Sequence, residues 1–226
     1  MSEEKYFNFP IQLLEGFLDD SRKCLNAISD YAIYSHSLNL ELDDELNNFK
    51  SSAKWFNLTY PNYLKGYKSG EMVYESIPEK SVMVGINLTI WWDYYKNDKT
   101  EFDKVCLLGF LAFKSILQDK PYCKVTNKYW LSRMNGKASA HEIEDLPANL
   151  LKFSNEYQLK KIKTALQHEW YLIEYGRYTR GFYISFKLTL EKLVFEAEKR
   201  KKSTKDKQLK NAKHQAYLNA INKLHK

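Results

Sequence analysis

The sequence predicts a mainly α-helical fold with one small β-hairpin. Apolar residues recur at helical spacing through much of the 226-residue chain, and the low count of 8 Gly and 5 Pro excludes collagen-like and mostly disordered classes. Two β-rich runs joined by a Gly-bounded loop predict the hairpin. We expect three parts: a mostly helical, acidic N-terminal region over 1–99, a helix-and-hairpin domain over 100–198, and a basic helical tail over 199–226.

The N-terminal region is predicted to contain three helices. Pro10 suits a first helical turn, and apolar residues follow it at helical spacing. A second helix is expected over 42–56, opened by acidic residues near its positive end. Pro and Gly residues predict a loop over 59–70, followed by a short strand over 72–77. The aromatic run 87–96 suits a helix or a strand, and we favour the helix.

The next hundred residues begin with the sharpest helical pattern. Thr100 and Asp103 suit a helix start, and the residues after them are apolar nearly all round, so this helix should be central to a core. A short extended piece over 122–125 then leads to Thr126, an N-cap for a short helix that ends before Gly136. Residues 137–153 are expected to form a loop with a short helical turn.

A further helix is predicted over 155–170, capped by Ser154, with two distinct faces. Stepping 100° per residue places its apolar side chains on one side. The opposite side carries Tyr157, Lys160, Lys161, Thr164, Gln167 and His168. The hairpin follows over 171–188, with a basic tip, and a helix from Thr189 passes into the tail.

Charge is distributed unevenly along the chain. Residues 1–109 sum to −6 and residues 110–226 to +13, within a net charge of +7. The tail over 199–226 holds ten Lys and Arg against one acidic residue, whereas 110–198 sums to only +4. This asymmetry indicates a polyanionic partner for the C-terminal half, with a solvated tail that only aids solubility as the alternative.

The order from 101 to 188 is helix, short strand, helix, loop, helix and hairpin. It resembles the winged helix-turn-helix superfamily, DNA-binding domains found in many bacterial regulators and replication initiators. The resemblance is carried by KVTNKYWLSRMNG (124–136) as second helix and YQLKKIKTALQHEWYLIEYGRYTRGFYIS (157–185) as recognition helix and wing. It implies a mainly α fold in which a winged helix-turn-helix follows the helical N-terminal region and precedes the basic tail. The implied partner is double-stranded DNA.

The candidate DNA-binding residues divide into three groups. A helix in the major groove needs an apolar face for its own domain and a polar face for bases and phosphates, which 155–170 supplies. A wing contacts the backbone or the minor groove, and the start of the second helix contacts the backbone. The candidates are Tyr157, Lys160, Lys161, Thr164, Gln167 and His168 on the helix, Arg177, Tyr178 and Arg180 at the hairpin tip, and Lys124, Thr126 and Lys128.

The residues, the charge distribution and the resemblance leave two functions open. The first is a DNA-binding protein, either a transcriptional regulator or a replication or partition protein of a mobile element, whose acidic N-terminal region forms a homodimer or docks a protein partner. The second is a protein–protein interaction module on the same scaffold, with a non-specific basic tail. Nucleotide-binding, serine-hydrolase and zinc-protease motifs are missing, so we expect no enzyme, no metal and no cofactor.

The cellular setting is expected to be the cytoplasm. Three scattered cysteines do not form a disulfide framework. No apolar run approaches the roughly 20 residues of a membrane helix, and the first residues do not resemble a secretory signal. We therefore expect a reduced cytoplasmic protein with no membrane contact.

Overall fold

The computed structural model describes residues 4–41, 44–140, 145–176 and 181–224. It is mostly helical, as the sequence predicts, and carries two small antiparallel sheets where a single hairpin was expected. The strands are β1 (Tyr6–Pro10), β2 (Met83–Asn87), β3 (Cys123–Val125), β4 (Ile173–Tyr175) and β5 (Phe182–Ser185). The helices are α1 (Ser21–Ser37), α2 (Glu45–Trp55), α3 (Tyr63–Glu75), α4 (Leu88–Lys96), α5 (Glu101–Leu117), α6 (Asn127–Met134), α7 (Ala148–Leu151), α8 (Glu156–Glu169) and α9 (Leu190–Leu224).

The start of the chain differs from the prediction. Pro10 ends strand β1, which pairs with β2, and only a 3-10 turn follows it. Gly16 then adopts a positive φ of 74°, a conformation that interrupts helical backbone and that glycine adopts without a Cβ clash. Helix α1 begins at Ser21, where the carboxylate of Asp20 accepts a hydrogen bond from the backbone N–H of Lys23 at 2.9 Å.

The predicted loop over 59–70 and strand over 72–77 are wrong, because one helix, α3, replaces most of both. Asn62 caps it by accepting a hydrogen bond from the N–H of Lys65 at 3.0 Å. A Cβ added at Gly70 would lie 2.8 Å from the backbone oxygen of Asp30 in α1. Glycine therefore lets α3 approach α1 closely, and the residue that resembled a turn signal serves helix packing.

Five further predicted helices are confirmed. Helices α2 and α4 form, and Thr100 and Asp103 make the reciprocal capping box that starts α5. Thr126 caps α6, whose end is followed by Gly136 at a φ of 71°. Helix α8 begins one residue later than expected, since Asn155 and not Ser154 supplies its cap.

Helix α5 is the centre of the C-terminal half. Gly109 lies where α5 meets α6 and α8, and a Cβ there would be 3.0 Å from the ring of Trp130 and 3.3 Å from Ile162. The indole N–H of Trp130 donates to the oxygen of Gly109 at 3.0 Å, and its ring stacks on Phe113 with centroids 4.3 Å apart. Glycine at position 109 therefore allows α5 to pack closely against both α6 and α8.

The second sheet lies between the core and the last helix. Its strand order is β3-β5-β4, all antiparallel, so β3 joins the predicted hairpin as a third strand. Phe182 and Ile184 of β5 face the main core, whereas Tyr183 packs with Leu193 and Ala197 of α9.

One cluster of buried side chains runs from Phe7 to Ile184 and contains residues from both sides of position 100. The division at 99–100 stays a prediction. In the part of the chain that the structure describes, no helix combines the length and apolar character needed to cross a membrane.

Candidate nucleic-acid interface

Helix α8 presents the two faces that its sequence predicts. Leu159, Ile162 and Leu166 are at most 4% exposed and pack into the main core. The predicted recognition residues are all exposed: Tyr157, Lys160, Lys161, Thr164, Gln167 and His168. The helix therefore offers an uninterrupted polar face of about three turns to solvent.

Lys163 connects α8 to the hairpin, and it was not among the residues predicted from the sequence. Its ammonium lies 2.8 Å from a carboxylate oxygen of Glu174 in β4 and 3.3 Å from the ring centre of Phe182 in β5. Burial lowers the pKa of Lys163, and the hydrogen bond and charge of Glu174 oppose that shift. On the helical wheel Lys163 lies 100° from Ile162, beside Leu159 and Trp170 at the edge of the apolar side, so the spacing indicates partial burial but does not give its partners.

The start of α6 lies beside the start of β5, because Val125 pairs with Phe182. Thr126 is exposed, and its hydroxyl oxygen accepts a hydrogen bond from the N–H of Tyr129 at 3.2 Å. A Cβ at Gly181 would lie 3.4 Å from Cε of Lys124, so the structure brings the exposed Lys124 next to the start of β5. Lys128 is partly buried in the first turn of α6.

The tip of the predicted wing, with Arg177, Tyr178 and Arg180, lies outside the described residues. The two strands that carry it are described and pair in register, with Tyr175 opposite Tyr183. The hairpin predicted at this position therefore forms, while the contacts of its three tip residues stay a prediction.

Helix α8 alone is only weakly positive. The exposed cations Lys160 and Lys161 share it with two exposed acidic residues, Glu156 and Glu169, one near each end. Lys161 also lies over the ring of Phe102 in α5, 4.5 Å from its centre, which positions its long side chain. The face suits contacts that depend on shape and hydrogen bonding more than on charge.

Most of the net positive charge of this half lies in residues 199–226, which sum to +9 and largely belong to α9. The first turns of α9 pack on the sheet: Glu196 accepts a hydrogen bond from Tyr122 at 3.0 Å, and Glu198 accepts one from Tyr175 at 2.9 Å. Arg200 lies over the ring of Tyr122 at 4.8 Å. Beyond this anchor, every residue from 202 to 215 is exposed. The basic tail predicted as a marginal helix therefore continues α9 away from the domain.

Two kinds of reactive group were sought among the described residues: clusters of metal ligands and cysteine thiols. They contain no group of three or more His, Cys, Asp or Glu side chains arranged to hold a metal ion. All three cysteines are free, and burial raises their pKa values to about 11 for Cys24 and Cys123 and about 12 for Cys106. These thiols are protonated at neutral pH and are poor nucleophiles in that form.

Comparison with protein-family models, with curated protein sequences and with solved structures gave no significant match to this chain.

Proposed function

We propose that the protein binds double-stranded DNA, with α8 in the major groove. The observation that carries the proposal is the polar face of α8, fully exposed on a helix whose opposite face is anchored in the core. The surrounding elements follow the order α5, β3, α6, α7, α8 and hairpin, which apart from the short α7 is the order in which the sequence resembles winged helix-turn-helix domains.

The dimensions of α8 suit this role. Its 14 residues span about 21 Å, and a helix of about 10–12 Å diameter fits a major groove about 12 Å wide. Thr164 and Gln167 lie one turn apart on the same stripe as Lys160, so their side chains would reach base edges while the lysine contacts a phosphate. Lys124 and the hydroxyl of Thr126 would contact the sugar-phosphate backbone of the DNA on the same side of the domain as the hairpin.

The role of α9 in this proposal is electrostatic. Residues 199–226 carry ten Lys and Arg, and neutralising phosphates with them releases counterions from the duplex without sequence preference. In this arrangement α9 supplies much of the affinity, and the less charged α8 supplies the preference for particular bases.

The test replaces Lys160 and Lys161 together with alanine in the full chain. Loss of two phosphate contacts should reduce the slope of log Kd against log salt by about 1.8, because each contact contributes about 0.9. Between 50 and 200 mM salt, Kd of the unaltered protein should then rise about 12-fold more than Kd of the variant. Fluorescence anisotropy with a labelled mixed-sequence duplex measures both quantities.

A matched control is the Lys65→Ala, Lys68→Ala pair on α3, which removes the same charge from two exposed positions of the N-terminal region. It should leave the slope nearly unchanged. Equal slopes for both double variants would refute the assignment of α8. If binding also disappears when α9 ends at Lys201, a protein-interaction domain with a non-specific basic tail becomes the better interpretation.

A further inference from the structure

A cleft of about 370 Å³ lies where the first turn of α1 meets the connection between α4 and α5. The buried residues Phe17 and Leu25 are part of its lining. The lining also includes four cationic residues: Arg22, Lys96, Lys99 and Lys104. They come from three separate parts of the fold, so no contiguous motif reveals the cluster in the sequence.

Two contacts with Tyr95, near the end of α4, hold the guanidinium of Arg22 in place. Its guanidinium donates a hydrogen bond to the backbone oxygen of Tyr95 and lies 4.4 Å from the centre of the Tyr95 ring. The side chain of Tyr95 is itself fixed, because its hydroxyl donates to Asn26 at 3.0 Å. A guanidinium has five N–H donors, so a group anchored in this way keeps most of them for a ligand.

The lysines of the cleft are positioned differently. Lys99 pairs with Asp93 at 2.5 Å, and Lys96 lies over the ring of Trp92 at 4.3 Å. Lys104 is half-buried in the second turn of α5. Within the described ranges, no carboxylate lies within ion-pair distance of Arg22, Lys96 or Lys104.

The residues that line the cleft have a net positive charge, whereas residues 1–109 taken together have a net negative charge. Residues 1–109 sum to −6, yet the described residues that line the cleft include four cations and one acidic residue, Asp98. Apart from Lys99, which pairs with Asp93, the lining residues comprise three cationic residues and one acidic residue. Bringing like charges together around a concave surface costs free energy, and an anion in the cleft offsets that cost.

We infer that this cleft binds a small polyphosphate anion, such as the phosphate chain of a nucleotide. The planar fork of Arg22 suits bidentate contact with phosphate oxygens, and the ammonium groups of Lys96 and Lys104 supply point charges around it. The volume lies at the lower end of the range of about 300–1,000 Å³ for small-molecule sites. The inference is independent of the DNA-binding proposal, since α8 contributes no residue to the cleft.

Isothermal titration calorimetry on the full chain tests the inference with three probes: sodium tripolyphosphate, ATP and adenosine. We expect both phosphate compounds to bind at about 50 mM salt and adenosine not to bind. Combining Arg22→Ala with Lys104→Ala should weaken tripolyphosphate binding about tenfold or more. If the doubly substituted chain folds poorly, Arg22→Lys takes its place. This variant keeps the charge and removes the planar fork, and it should weaken tripolyphosphate binding by an intermediate amount.

Two comparisons separate this cleft from the basic tail. The Lys65→Ala, Lys68→Ala control loses the same charge outside the cleft and should bind tripolyphosphate as the unaltered chain does. Lys207→Gln with Lys210→Gln on α9 should also leave binding unchanged. Absence of binding by both phosphate compounds, or an equal loss in the α9 variant and the cleft variant, would overturn the inference. Binding of single-stranded DNA that competes with ATP, with no binding of tripolyphosphate, would overturn it as well.

Discussion

The ion pair between Lys163 and Glu174 tests how α8 is held against the hairpin. Its side chains are only 12% and 17% exposed, so solvent screens the pair little. Glu174→Gln removes one charge and leaves the ammonium over the ring of Phe182, 3.3 Å from its centre, which offsets part of the loss. We expect the free energy of unfolding to fall by about 2 kcal/mol, between the values for exposed pairs and for broken buried pairs.

Urea denaturation followed by tryptophan fluorescence and circular dichroism measures this change, which corresponds to a Tm about 4–8 °C lower. Replacing both charges, with Lys163→Met and Glu174→Leu, should restore stability to within about 1 kcal/mol of the unaltered chain. Lys152→Ala is a control, because it breaks an exposed pair with Glu101 and should cost less than about 1 kcal/mol. A doubly substituted chain as unstable as Glu174→Gln would refute the reasoning.

Three further changes probe the same framework. Gly109→Ala should cost about 1–3 kcal/mol and alter the near-ultraviolet dichroism, because its Cβ would press on Trp130 at 3.0 Å. Thr126→Ala should cost about 1 kcal/mol in thermal unfolding, and Thr126→Ser should not, because serine keeps the cap. Burial raises the pKa of Asp30 above 3.8, so its contribution to stability is full below that pH and is lost as pH rises through the native pKa. In denaturant titrations over a pH series, Asp30→Asn should therefore gain stability relative to the unaltered chain as pH rises above 3.8.

Local signals predicted much of the C-terminal half. The capping residues Thr100 and Thr126, the helical spacing of α5 and the alternation in β5 are each set by neighbours in sequence, and the corresponding elements form. Lys163 was missed as a tie to the hairpin because its partners Glu174 and Phe182 are distant in sequence.

The wrongly predicted loop over 59–70 has a cause in helix packing. Gly66 and Gly70 are residues typical of turns, yet both lie inside α3. A Cβ at Gly66 would lie 2.6 Å from the Tyr60 ring, and a Cβ at Gly70 would lie 2.8 Å from the backbone oxygen of Asp30. Their role is to permit close packing between elements, which single-sequence patterns do not distinguish from turn formation. The cationic cleft escaped prediction for a related reason: Arg22 and Lys104 meet only in the folded chain.

The pairing of β3 with β5 has a consequence for how the protein is made. Cys123 pairs with Ile184, and all of α6, α7 and α8 lie between them in sequence, whereas β4 and β5 are close neighbours. Closing the longer loop costs more entropy, so the hairpin can form early and β3 is expected to join after the helices have collapsed. During synthesis, β3 leaves the ribosome well before its partner exists. Its edge stays unpaired over that interval, and Lys124, which bears a charge in the middle of this three-residue strand, discourages association with other chains.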